Sequence, residues 1–343
     1  MKKRKLYDTQ APNKSTKIIE GESSNILNWD DVRFPWAFPK YKRMLANFWT
    51  PFEINMSPDK KQWDEVLNEE EQDTFLKIIG LLALLDSMQS DYASKASDYL
   101  TDSSVNALMI ILAQQEVVHN HSYSYVLSSL VPKAKQDEVF EYWKNLEVLR
   151  KRNDFVAEGY MEFSENPSPK NFLKSTVYDI VLEGLFFYAG FAFFYDLARQ
   201  GKMTATSTMI NYINRDEELH VDLFVKIFHE ILNDYPELNN DEIKQYVLET
   251  FKRATELEIE WGNFIIGERF ENIDQNTLAD YIRFVANKRC NILVGEKPYP
   301  EIKENPMRWI KYFEDIDDSK TDFFEQKSRQ YTKPNDDNGF DDL

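Results

Sequence analysis

The sequence predicts an all-α fold, a helical bundle whose interior holds acids and imidazoles. Three observations predict it. Two Glu-x-x-His pairs, Glu116/His119 and Glu217/His220, each place both side chains on one face of a helix. The chain has only four histidines, and chance supplies two such pairs in roughly a few per cent of comparable sequences. Glycine (10) and proline (13) are scarce in 343 residues, against a β protein rich in turns. Finally, long apolar stretches around residues 75–85 and 177–198 are interrupted by single acids, among them Asp86 and Glu183. A buried acid without a partner costs several kcal/mol or stays protonated, and a metal ion removes that cost.

Composition narrows the function. A net charge of −18 argues against a nucleic-acid surface. The single cysteine, Cys290, excludes an internal disulfide, a Cys-rich metal site and dithiol chemistry within one chain. The opening Met-Lys-Lys-Arg-Lys is followed by polar residues and not by an apolar segment, so no secretory signal is expected and the expected compartment is cytoplasmic.

In chain order, residues 1–30 are polar and are expected to form a mobile N-terminal arm. Residues 31–57 carry Trp36, Phe38, Tyr41, Phe48, Trp49 and Phe52 among three prolines, so they should dock on a core in short helices. Ser57-Pro58-Asp59 reads as a helix start. From Glu69 a helix apolar on nearly every face runs to Asp86 and beyond. Asp102 or Ser103 caps the next, which reaches Leu130 before Pro132. Residues 134–152 form a charged amphipathic helix, and Asn166-Pro167-Ser168-Pro169 a turn.

The segment Val177 to Ala198 reads as one central core helix with a single inward acid, Glu183. Gly201 closes it, and Thr204 or Thr206 caps the helix carrying Glu217 and His220. Helices at about 241–271 and 276–292 complete a domain spanning 31–305. Residues 306–343 read as an acidic tail.

Asp86, Glu183, Glu116 with His119, and Glu217 with His220 thus lie on four separate helices. Four carboxylates and two imidazoles form a ligand set for two first-row ions, and the pattern is that of ferritin-like di-metal bundles. Without thiolate, iron or manganese suits the donors.

The surrounding residues carry a more specific resemblance. Phe48-Trp49-Thr50-Pro51-Phe52-Glu53, Leu84-Leu85-Asp86-Ser87, Glu116 to Tyr123 and Arg215-Asp216-Glu217-Glu218-Leu219-His220 resemble the small, radical-generating subunit of class I ribonucleotide reductases. The resemblance implies that Asp86, Glu116 and His119 hold one metal and Glu183, Glu217 and His220 the other, with Glu116 and Glu217 bridging. Tyr123 matches the tyrosine that becomes a stable radical, and Phe187, Phe191 and Ile213 its apolar pocket. Trp49 and Asp216 match a relay that passes by way of His119. Tyr331 matches its continuation in the tail, and Phe340 to Leu343 the anchor on a large catalytic subunit.

The implied partners are that subunit, a second copy of the chain, and O2 or a flavoprotein-supplied oxidant, with neither nucleic acid nor membrane. Tyr125, His121 and Cys290 read as structural. The competing readings are a ferritin-like oxidase or monooxygenase acting on a hydrocarbon or lipid, and a metal-storage bundle.

Overall fold

Asn68 starts the helix Glu69–Ser97 by accepting from the Glu71 amide, and the Glu71 carboxylate in turn accepts from the Asn68 amide. Side-chain caps also start four more of the helices in the computed structural model, which describes residues 1–314. In order the helices are α1 (Ala37–Ala46), α2 (Ser57–Glu65), α3 (Glu69–Ser97), α4 (Ser103–Leu130), α5 (Lys133–Asn145), α6 (Glu147–Glu165), α7 (Pro169–Gly184), α8 (Tyr188–Arg199), α9 (Thr204–Asp234), α10 (Asp241–Ile265), α11 (Gln275–Val294) and α12 (Ile310–Glu314). Among the described residues there is no strand, only an isolated bridge between Ile19 and Leu100.

The core pairs α3 with α4 and α7 with α9, and contacts between α4 and α9 and between α3 and α7 join the pairs. This is a ferritin-like arrangement, one acid-bearing or Glu-x-x-His helix at each corner. The helices α5, α6, α10 and α11 pack outside it.

Several expectations are corrected. Residues 1–30 are not a free arm. Ile18 and Ile19 are fully buried, Thr101 N–H donates to Ile18 O, and Arg4 N–H donates to Asp98 O. Polar composition hid two apolar residues that pair with the end of α3. The amphipathic helix of 134–152 is two helices that turn at Leu146.

The central helix is also two, because the backbone breaks between Gly184 and Tyr188. Its most apolar stretch lies within Pro169–Arg199, long and apolar enough by composition to cross a membrane, yet wholly buried in the protein. It carries more than one inward acid. Asp179 is as buried as Glu183, and Asp196 nearly so.

Helix α9 has no side-chain cap of its own, neither Thr204 nor Thr206. Met203 precedes it at φ +49°, and Asp59 of α2 accepts from the Ala205 and Thr206 amides instead. Met307 and Ile310 are buried, so the beginning of the expected tail packs on the body. Tyr331 and Phe340 to Leu343 lie outside the described residues.

Candidate metal centre

Asp86 on α3, Glu116 and His119 on α4, Glu183 on α7, and Glu217 and His220 on α9 meet in the interior, all fully buried. The three-residue spacing stacks each Glu and His on one face. Two overlapping groups of donor atoms result, Asp86/Glu116/His119/Glu217 and Glu116/Glu183/Glu217/His220.

Glu116 and Glu217 belong to both groups, and their oxygens divide between the imidazoles. Glu116 Oε2 lies 3.7 Å from His119 Nδ1 and Oε1 lies 2.9 Å from His220 Nδ1. Glu217 Oε1 lies 3.1 Å from His119 Nδ1, and Oε2 lies 2.9 Å from His220 Nδ1. Glu183 Oε1 is 3.6 Å from the same His220 nitrogen.

One imidazole nitrogen cannot satisfy three carboxylates with a single proton. Both Asp86 oxygens, both Glu116 oxygens, Glu217 Oε1, Glu183 Oε2 and His119 Nδ1 lack a hydrogen-bond partner despite full burial. Orphaned, converging anionic donors of this kind fit two divalent cations.

The far sides of both rings support that fit. His119 Nε2 faces Asp216 Oδ2 at 3.3 Å, and His220 Nε2 faces Gln115 Oε1 at 3.0 Å. Each acceptor suits a ring proton on Nε2, so that Nδ1 is the nitrogen a cation on the carboxylate side would take once its own proton leaves. Gln115 was not legible as a site residue, because its partner comes from another helix 105 positions away.

Electrostatics describe what the acids do without cations. Burial, then the charges of Glu116 and Glu217, push Asp86 well above the usual carboxylate range. Burial pushes Glu183 up to about 8 against the pull of His220. Burial also acts on Glu116, but His119 and His220 outweigh it and hold that carboxyl at about 2. Both imidazoles are raised well above their ordinary value, carboxylate attraction exceeding the cost of burial.

Tyr123 is buried, its hydroxyl faces Asp86, and burial followed by the Asp86 charge pushes its ionisation well up. That hydroxyl makes no hydrogen bond of good geometry. Phe187, Phe191 and Ile213 are all buried. On the other side Trp49, also buried, donates Nε1–H to Asp216 Oδ2 at 2.9 Å. A single carboxylate oxygen therefore joins the indole to His119, and Asp216 Oδ1 lies 3.4 Å from Arg215 Nε.

Behind Glu183 sits a network the sequence did not reveal. Gln89 donates to both Asp179 and Glu183, and Tyr160 OH donates to Gln89 Oε1 at 2.7 Å. Tyr160 stacks on Tyr92 with ring centroids 3.8 Å apart.

The sequence pattern of the ribonucleotide reductase small chain matches residues 26–306. The chain belongs to that family. It is 62% identical to the ribonucleoside-diphosphate reductase subunit beta of Halalkalibacterium halodurans, across all of this chain and 99% of that protein. In three dimensions it is similar to a protein described as a class I ribonucleotide reductase from Bacillus halodurans, with TM-score 0.86 and 62% identity over 90% of this chain and 98% of that one. It is also similar to the ribonucleotide reductase R2 subunit from Clostridium botulinum, with TM-score 0.88 and 37% identity over 92% and 99% of the two chains. The family match, residues 26–306, includes α3, α4, α7 and α9.

Proposed function

We propose that this protein is the small subunit of a class I ribonucleoside-diphosphate reductase, and that it generates and stores the oxidising equivalent used by a large catalytic subunit. The observation that carries the reading is the pair of shared carboxylates, Glu116 and Glu217, each reaching both imidazoles. In this reading Asp86, Glu116 and His119 hold one ion and Glu183, Glu217 and His220 the other, iron or manganese. When bound, the two ions supply the one-electron oxidant once O2 or a flavoprotein-supplied oxidant has reacted with them.

The chain's own residues do the rest. Tyr123 gives up an electron together with its phenolic proton, and Asp86 is the carboxylate its hydroxyl faces. The apolar side chains of Phe187, Phe191 and Ile213 keep water from the radical. On the relay side, an oxidised Trp49 indole becomes acidic, and its Nε1 proton already points at Asp216 Oδ2. Tyr331 continues the relay, and Phe340 to Leu343 anchor the tail on the large subunit.

Reduction of the nucleotide belongs to that partner. Cys290 is the sole cysteine, and burial pushes its thiol up to about 12, far from a reactive thiolate. The protein acts in the cytoplasm as a homodimer. Ile110 and Val117, two turns apart on α4, are 58% and 59% exposed, and Phe52, 69% exposed, packs its ring on His121 of the same helix. This row of apolar groups suits a second copy.

The deciding experiment loads the protein with iron or manganese, records electron paramagnetic resonance, and assays nucleotide reduction with the large subunit. Oxygen consumption with a lipid substrate and no nucleotide reduction would favour a ferritin-like oxidase instead.

A further inference from the structure

The α7–α8 break, residues 185–187, begins two residues beyond Glu183 and contains Phe187. The amides of Leu185 and Phe186 both donate to Val181 O at 3.0 Å, and the helical ladder resumes with Phe191 N–H to Phe187 O at 2.9 Å. Between these points Tyr188 N–H donates to Leu185 O at 3.2 Å, and the remaining backbone groups need other partners.

Two arginine–glutamate pairs provide them, one with its glutamate partly exposed and one fully buried. On one side Arg289 donates Nε–H to Gly184 O at 3.2 Å and pairs with Glu218. On the other, Arg152 donates Nη2–H to Phe186 O at 2.5 Å and pairs with Glu258, while Glu258 Oε1 accepts from the Ala189 amide at 3.0 Å.

The Arg152–Glu258 pair is a costly way to hold α6 to α10. Both side chains are fully buried, and Arg152 Nε and Nη1 have no hydrogen-bond partner. Their contacts are the faces of Phe186 and Trp261, 4.5 and 5.5 Å from the guanidinium. Burial pushes Glu258 up to about 7 despite the adjacent cation. Apolar replacements of such pairs are often neutral or stabilising. What an apolar pair cannot do is donate to Phe186 O and accept from the Ala189 amide.

We infer that Arg152 and Glu258 are positioning residues, which fix the break after α7 and thereby set Glu183 as a metal ligand. The inference rests on the metal-centre reading above. Neither residue touches the proposed ligands; both act through the backbone of residues 186–189.

The test uses the full-length, metal-free protein. The Arg152→Met/Glu258→Met variant is expected to fold with a near-parental melting temperature, since apolar groups replace both charges. Its amides at 185–191 should exchange hydrogen at least about tenfold faster, and its affinity for the second Mn2+ should fall about 10–100-fold, as when other supports of metal ligands are removed. Glu258→Gln keeps an acceptor for the Ala189 amide and leaves Arg152 on Phe186 O, so it should bind Mn2+ as the parent does.

Parental exchange or parental Mn2+ affinity in the double variant overturns the inference. So does failure of that variant to fold, which would make the pair a pillar of the fold, and so does a Glu258→Gln variant as weak as the double. A parent that binds fewer than two ions sinks the metal-centre reading instead, and hydrogen exchange then decides the positioning role of the pair alone.

Discussion

Trp49 Nε1 donates to Asp216 Oδ2 across 2.9 Å, although the two residues lie 167 positions apart. The same oxygen lies 3.3 Å from His119 Nε2. Replacing Asp216 by Asn keeps the volume and removes the charge, so Trp49 loses its proton acceptor while the six proposed ligands remain. Nucleotide reduction with the large subunit is predicted to fall at least about a hundredfold, with two ions still bound per chain by elemental analysis. A variant with near-parental turnover would take Asp216 out of the relay.

The two imidazoles face separate donor groups that share Glu116 and Glu217. His119→Ala and His220→Ala should therefore each retain about one ion per chain where the parent binds two, as in two-metal sites generally. Measured after reconstitution with Mn2+, two ions in either variant would remove that histidine from the ligand set.

Because the Tyr123 hydroxyl faces Asp86 without a hydrogen bond of good geometry, Tyr123→Phe gives up little and leaves no cavity. The metal-free variant should melt within a few degrees of the parent or slightly above it. Its metal content should be unchanged, and electron paramagnetic resonance should show a tyrosyl signal in the parent and none in the variant. An active parent without that signal would leave the ions themselves as the oxidant.

The pH dependence of the metal-free protein follows from the shifts. His119, His220, Asp86 and Glu183 all have folded pKa values above their ordinary ones, Glu183 at about 8. In each case the folded state holds the proton more tightly than the unfolded chain, so stability falls as pH rises through the window from the ordinary value to the raised one. Glu116, held at about 2, acts in the opposite sense but only under strongly acid conditions. The melting temperature of metal-free protein should therefore drop between about pH 5 and pH 8, a fall that metal loading abolishes. Cations displace the same protons, so calorimetry in buffers of different ionisation enthalpy should register proton release on Mn2+ binding. Uptake or no change would contradict the protonated cluster.

Val117 is 59% exposed in the middle of α4. If it faces a second copy, Val117→Asp places two charges near a shared axis, and sedimentation should show monomers where the parent sediments as a dimer. Folding and metal content should be retained, since the side chain lies outside the core. An unchanged dimer would move the interface elsewhere.

By itself the sequence determined the helical class, most of the helices and the six proposed ligand residues. Those features are local. A 3.6-residue period puts Glu116 over His119 and Glu217 over His220 whatever the rest of the chain does, and caps such as Asn68 and Asp102 act on amides two or three residues away. Only the tertiary structure decided what each face meets. Asp59 caps α9 from a different helix 147 positions earlier, Gln115 backs His220, and Arg152 reaches the carbonyl of Phe186. The break after Gly184, the burial of Asp179 and the docking of Ile18 and Ile19 belong to the same class. In each, a polar or backbone group finds its partner on another element, and that partner exists only once the helices have packed, so no window of neighbouring residues encodes it.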